Sequence, residues 1–291
     1  MPMKSLLPAA AALLALASPA LALDCGKAST RLEHAICGDK SLKAADAAMG
    51  QAYAQILKAA AGDAEIRDML VAGQKRWLAA RDQRLAGPEE DEDDAAWRAR
   101  LLKAMRDRAD ALGQRSRTDP KQFDLIAMAE AQRRFAAQFT GGPFAGYRTD
   151  CDFLPEDGRS AAPDVYGCFA ARFYQNRDRV CGVAEDWASG SVSETHSVAE
   201  VVNGKLKPVA TCTVGGTGGE PPCPDEDREA GAAWNLQPKA DAAASPASPL
   251  PRIDAEAGGG PGDDAPWLRA CLTDKSFPLA DPTGDGSGKR S

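Results

Sequence analysis

Between residues 24 and 118 apolar side chains return every three or four positions. Leu42, Ala45, Met49, Tyr53, Ile56 and Ala60 form one series, and Ile66, Leu70, Gly73, Trp77 and Ala80 a second. A third runs through Trp97, Leu101, Ala104, Met105, Arg108 and Leu112. That spacing lays one stripe along each of three helices. Thr30 followed by Glu33 is a capping box that opens a shorter helix carrying His34 and Cys37. Ser41 is the expected cap of the next helix, Gly62-Asp63 the break after it, and Gly87-Pro88 the stop ahead of the last. Four amphipathic helices on short joins predict a small helical bundle or hairpin array over 23–118. Asp119-Pro120 then starts a connecting helix within 119–143, ended by Gly141-Gly142-Pro143.

From residue 144 the pattern changes. Aromatic and β-branched residues come in short runs: Val165–Tyr174, Arg179–Trp187, His196–Val202 and Lys207–Val214. Asn203-Gly204 between the last two is a strong hairpin signal. Cys151, Cys168, Cys181, Cys212, Cys223 and Cys271 all belong to this half, and their pairing is open. The expectation is a small β-rich, disulfide-stapled domain over 144–236. Residues 237–266 are rich in Pro, Ala, Ser and Gly and read as a linker without a packed core. The segment 267–291 holds Trp267, Leu268, Leu272 and Phe277, which dock back through Cys271, and then a tail. The fold class is therefore α+β by segregated domains, all-α first and β-rich second.

Residues 1–22 carry Lys4, an apolar stretch and the small-x-small site Ala20-Leu21-Ala22, the pattern of a cleaved signal peptide. Asp24 before Cys25 does not suit a lipid anchor, and no later run is long enough to span a membrane. The expected location is periplasmic or secreted. All eight cysteines follow the cleavage site, their number is even, and no CxxC occurs. Disulfides in an oxidising compartment fit better than a zinc ribbon or a thioredoxin-like site.

The formal net charge of −7 argues against nucleic acid as a partner. His34 and His196 are the sole histidines, and neither lies in a nucleophile motif such as GxSxG. The glycine-rich run Gly215 to Glu220 lacks the ending of a phosphate loop. The carboxylate pairs Asp150/Asp152, Glu156/Asp157 and Glu185/Asp186 read as turns. No catalytic constellation, cofactor site or metal site is expected, so the chain reads as non-enzymatic.

Asp24-Cys25, Thr30-x-x-Glu33-x-x-Ile36-Cys37, Leu42, Asp46 and Tyr53, then Gln74-x-x-Trp77-x-x-x-Arg81-Asp82, resemble the LprI-type family, named for a bacterial envelope lysozyme inhibitor. The resemblance covers about 24–112. It implies a helical fold, a Cys25–Cys37 bridge and a lysozyme or other wall hydrolase as partner. A bridge over that short helix contributes about 2–3 kcal/mol. The family pattern has two further cysteines, where this chain carries Leu85 and the stretch Asp94–Trp97. Their joint absence leaves loop 86–96 without that staple.

Two readings stand for the motif residues. Asp46, Tyr53, Gln74, Trp77, Arg81 and Asp82 form a buried polar clamp, with Asp46 meeting Arg81 across two antiparallel helices, or they form a binding face with Trp77, Arg81 and Tyr53 as anchors. Glu89, Glu90 and Asp91 open an acidic run that suits the dipole of the following helix, or that meets a cationic partner. The functional expectation is an exported interaction protein that inhibits a lysozyme. The alternative is an envelope module that binds wall or polysaccharide without inhibiting. Oligomeric state is open.

Overall fold

The structure, a computed structural model, describes residues 23–155, 165–188, 191–215, 219–224, 233–239 and 249–278. The expected signal peptide, Glu156/Asp157, residues 216–218 of the glycine-rich run, the early linker at 240–248 and the tail from 279 lie outside them. Helices fill the N-terminal half: α1 (Arg31–Gly38), α2 (Lys40–Ala59), α3 (Ala64–Arg84), α4 (Asp94–Gly113) and α5 (Asp124–Ala136). The C-terminal half is an antiparallel meander of β1 (Gly146–Leu154), β2 (Val165–Asn176), β3 (Arg179–Ala188), β4 (Ser191–Val202) and β5 (Lys205–Thr213) in sequential order. A last helix, α6 (Pro266–Thr273), follows.

Local chemistry accounts for most boundaries. Thr30 and Glu33 close the capping box on α1. The cap of α2 is Asp39 rather than Ser41: a carboxylate two residues earlier accepts both the Ser41 and Leu42 N–H groups. Asp63 caps α3. The connecting helix starts later than Asp119-Pro120, because Gln122 N–H bonds back to the Asp119 carbonyl in a turn and helix begins only after Phe123. Asn203 and Gly204 both take positive φ, +52° and +73°, as a two-residue hairpin between right-twisted strands requires. Pro208 sits on β5, the edge strand of the sheet among the described residues, next to a register irregularity in its pairing with β4, a place where proline is tolerated.

Strand β1 escapes a reading from β-propensity. It is GYRTDCDFL, with Asp150 and Asp152 alternating with Cys151 and Phe153. Those carboxylates lie in a strand, not in turns. Glu185 and Asp186 are likewise strand residues, on β3. Period two sends Tyr147 and Phe153 inward, both buried.

All eight cysteines are paired: Cys25–Cys37, Cys151–Cys168, Cys181–Cys271 and Cys212–Cys223. This set fits an oxidising compartment. Cys151 and Cys168 face each other across β1 and β2. Cys181–Cys271 fastens α6 to β3, so the C-terminal segment does dock through Cys271.

The larger difference from expectation concerns residues 249–266. Instead of a coreless linker, this stretch packs between helices and sheet. Ile253, Asp254, Ala255, Ala257 and Asp263 are buried. Low hydrophobicity hid the packing, because what the strap brings to the core is mainly carboxylate and backbone. Asp254 and Glu256 both bind Arg76, at 2.8 Å each, and Glu256 binds Arg108 at 2.6 Å. Arg108 also donates to Gln74 Oε1 at 2.9 Å. The fully buried Gln132 amide of α5 clasps the strap, donating to the Asp254 and Gly258 carbonyls and accepting the Asp254 N–H. Beyond it, Asp263 takes Arg172 of β2 at 3.0 Å and the Tyr174 hydroxyl at 2.7 Å. Gly258, Gly259 and Gly260 carry the chain between these anchors at positive φ, and a side chain at Gly259 would overlap Arg172 and Asp263.

The two halves therefore share a core. Trp77 of α3 meets Phe153 of β1 edge-on at 6.2 Å, and both lie in one cluster with Ile253 and Ala255. Arg84 binds Asp152 at 2.5 Å across the same seam.

Removing the Glu256 carboxylate leaves Arg76 and Arg108 short of a buried partner. Glu256→Ala should cost about 3–5 kcal/mol of folding stability, whereas Arg84→Ala, at a half-exposed pair, should cost less than about 1 kcal/mol. Urea unfolding of the oxidised protein measures both, and equal effects would remove the strap from its central place. Burial alone would raise the Glu256 pKa, yet Arg108 and Arg76 hold it below its ordinary 4.5. A depressed folded-state value stabilises above the unfolded pKa, and that contribution is lost as pH falls through the folded one. Stability should thus drop as pH falls below about 5, and Glu256→Gln should flatten that dependence. Parallel slopes for parent and variant would contradict the assignment.

Candidate partner-binding surface

The loop joining α3 to α4 carries the acids Glu89 to Asp94, and its ends are held. Leu85, fully buried, caps α3. Its carbonyl accepts the indole N–H of buried Trp97, from the first turn of α4, at 3.0 Å. A buried indole–carbonyl bond thus closes the loop without a disulfide, and the loop is not left unstapled. Arg31 and Arg98 lie over the Trp97 ring, at 5.1 and 5.7 Å, and both bind Asp94.

Three of the acids are occupied locally. Asp93 caps α4 by accepting the Ala96 N–H at 2.7 Å. Asp94 holds the two arginines just named. Glu92 turns inward to Arg100 at 2.5 Å and accepts the Glu89 N–H at 3.0 Å. Hydrogen bonding to Arg100 keeps the Glu92 carboxyl below its ordinary pKa. Glu89, Glu90 and Asp91 remain exposed at the tip. Glu89 approaches Arg100 only to 3.9 Å, and among the described residues Glu90 and Asp91 make no ion pair. The arrangement is a preorganised anionic tip whose neighbours have already neutralised one another. Asp152 first, with Glu89 behind it, raises the Arg84 pKa, so the tip borders the seam with the sheet.

The motif residues on the helices do something different. Trp77 is 1% exposed, and the Arg81 guanidinium lies over its ring at 5.5 Å while binding the adjacent Asp82 at 2.7 Å. Gln74 holds Arg108, and Tyr53 is half-buried against the same core. Asp46 does not reach Arg81. It accepts the Leu23 N–H at 2.7 Å, and the close neighbour of α2 is α4, not α3. Buried Trp77 and Arg81 offer a partner little surface. The Cys25–Cys37 bridge ties the first residues to the end of α1.

His34 is exposed on α1. His196 stacks on Trp267 at 4.1 Å, with Nε2 2.6 Å from Glu194, a packed arrangement on the inner face of the sheet. Two groups bring potential metal ligands together, His196 with Cys212 and Cys223, and Glu256 with Cys151 and Cys168. In each, both sulfurs are bonded to one another and offer no thiolate. Among the described residues no helix is long and apolar enough to cross a membrane.

Residues 24–112, from η-turn Cys25–Lys27 through nearly all of α4, match the family model described as Lysozyme inhibitor LprI. The sheet half has no family match. No curated protein and no solved structure matches the chain.

Burial separates the two groups of motif residues experimentally. Trp77→Ala should destabilise by about 3–5 kcal/mol through the cavity it opens. The exposed pair Glu90→Gln and Asp91→Asn should each change stability by less than about 0.5 kcal/mol. Thermal unfolding followed by circular dichroism reads both, and a near-neutral Trp77→Ala would contradict the buried placement.

Proposed function

We propose that the protein is an exported, non-catalytic inhibitor of a lysozyme or related wall hydrolase. It holds the enzyme through the acidic tip Glu89–Asp91. The observation that carries this reading is that tip: three exposed carboxylates on a loop whose remaining acids are committed to Arg31, Arg98 and Arg100 or, for Asp93, to the cap of α4. The match of residues 24–112 to a lysozyme inhibitor family supports the choice of partner. The export signal expected at 1–22 and the four disulfides support a periplasmic or secreted location.

The physical mechanism is steering followed by occlusion. Lysozymes are often cationic overall, so a fixed anionic tip accelerates encounter and sets orientation. A loop already ordered by Trp97–Leu85 and Glu92–Arg100 loses little further entropy on docking. The helical body behind it then blocks access to the substrate cleft.

Neutralising the tip with Glu89→Gln, Glu90→Gln and Asp91→Asn together should weaken inhibition of a cationic lysozyme by about tenfold or more. The loss should shrink as salt screens the parent protein's own attraction. Titration of the oxidised mature chain into a peptidoglycan-clearing assay at low and high ionic strength measures this. Inhibition equal to the parent's at low salt would place the contact elsewhere. No inhibition by the parent, across several lysozymes, would overturn the function itself.

A further inference from the structure

The five-stranded sheet is split at one end. Pairing between β2 and β3 runs from Asn176–Arg179 only as far as Ala171–Ala184. Past that point β1 and β2 stay paired to Leu154–Val165, and β3 and β4 stay paired to Ala188–Ser191. Two hairpin arms therefore diverge from an apex of two alanines. The cleft between them has a volume of about 830 Å³, within the usual range of small-ligand sites. Cys151–Cys168 crosses the first arm, and Arg172 of β2 binds Glu185 of β3 at 2.8 Å, tying the two arms together at their root. The Arg84–Asp152 pair closes one lip.

A split sheet forgoes ladder hydrogen bonds, and the facing edges of β2 and β3 keep backbone donors and acceptors for something else. The side chains say what. Phe169 lines one arm, and Trp187, 37% exposed, lines the other. Asp150, Asp186 and Arg148 supply polar groups between them. Arg84 offsets Asp152 and Arg172 reaches Glu185, which leaves Arg148 against Asp150 and Asp186, a lining with a small negative excess that disfavours a polyanion. Flat aromatic faces match the C–H faces of pyranose rings, and carboxylates and free backbone groups match their hydroxyls.

We propose that this fork binds an uncharged oligosaccharide, with Trp187 and Phe169 stacking on sugar rings and Asp150 and Asp186 accepting hydroxyl hydrogen bonds. The site uses other side chains than Glu89, Glu90 and Asp91, although it shares the Arg84–Asp152 seam with the acidic tip, and it does not depend on capture of a hydrolase.

The test is calorimetric titration of the full oxidised mature chain with chitohexaose and cellohexaose, and with a neutral hexapeptide as the strand-forming rival. Saturable binding of an oligosaccharide is expected. Trp187→Ala should weaken it about tenfold, and Asp186→Asn severalfold, while Val202→Ala, an exposed valine at the far end of β4, leaves it unchanged. Near-UV circular dichroism of each variant verifies the fold, and lysozyme inhibition by Trp187→Ala should equal the parent's. Failure of both oligosaccharides to bind overturns the proposal. So does undiminished binding by folded Trp187→Ala, or tight binding of the hexapeptide with displacement of sugar, which would make the fork a strand-docking edge.

Discussion

Glu256 sits between two arginines of different helices, and the chain is organised around that contact. Arg76 on α3 and Arg108 on α4 would be costly to bury without a counter-charge. The strap supplies it, and Asp254 completes the compensation. Gly73 shows how closely the strap is seated: a Cβ there would lie 2.9 Å from a Glu256 oxygen. A few residues on, Asp263 repeats the device with Arg172 and Tyr174 of β2. Burial first, and then the neighbouring Tyr147 and Asp263, push the Tyr174 hydroxyl's pKa upward and keep it a hydrogen donor. One short segment thus joins helices to sheet through carboxylates rather than through apolar bulk. Such joints specify geometry strongly, because half of one is far worse than none.

That joint decides what the helical module can offer. The face of α3 bearing Gln74 and Trp77 is turned to Arg108, Phe153 and the strap. Anchor-type residues are spent on holding the halves together. What remains for a partner is the end of the module away from the strap, where loop acids outnumber the arginines that bind them. The indole–carbonyl bond between Trp97 and Leu85 keeps that end in place. The proposed contact and the stabilising core therefore use different side chains, so variants at the tip can report on binding without disturbing the fold.

The sheet half follows a similar division. Its inner face is fastened by Cys181–Cys271, by the Phe135–Tyr174 contact and by the strap. The β1–β2 arm has its own disulfide and does not rely on β3 along its whole length. This bracing lets the sheet open beyond the Ala171–Ala184 pair without losing its shape. A disulfide count that looks generous for a domain of this size is thus matched to a sheet with an interrupted ladder.

Periodicity and turn chemistry carried much of the architecture. The four N-terminal helices, the Thr30–Glu33 box, the Asn203-Gly204 hairpin and four of the five strands follow from spacing, because each depends on neighbours within a few residues. The family resemblance likewise rested on local motif spacing. Strand β1 did not show, since its acids mask an alternating pattern completed only by Trp77 and Cys168 far along the chain. The acidic tip could be named but not sorted into bound and free carboxylates, because Arg31, Arg98 and Arg100 choose their partners in three dimensions. The strap could not be found at all. Its glycines and alanines resemble a linker, and its acids acquire meaning only beside arginines some 90 to 180 residues away. Short-range order was written in residue spacing, whereas charge pairing across the core was decided by the tertiary fold, because a carboxylate carries no mark of the cation it will meet.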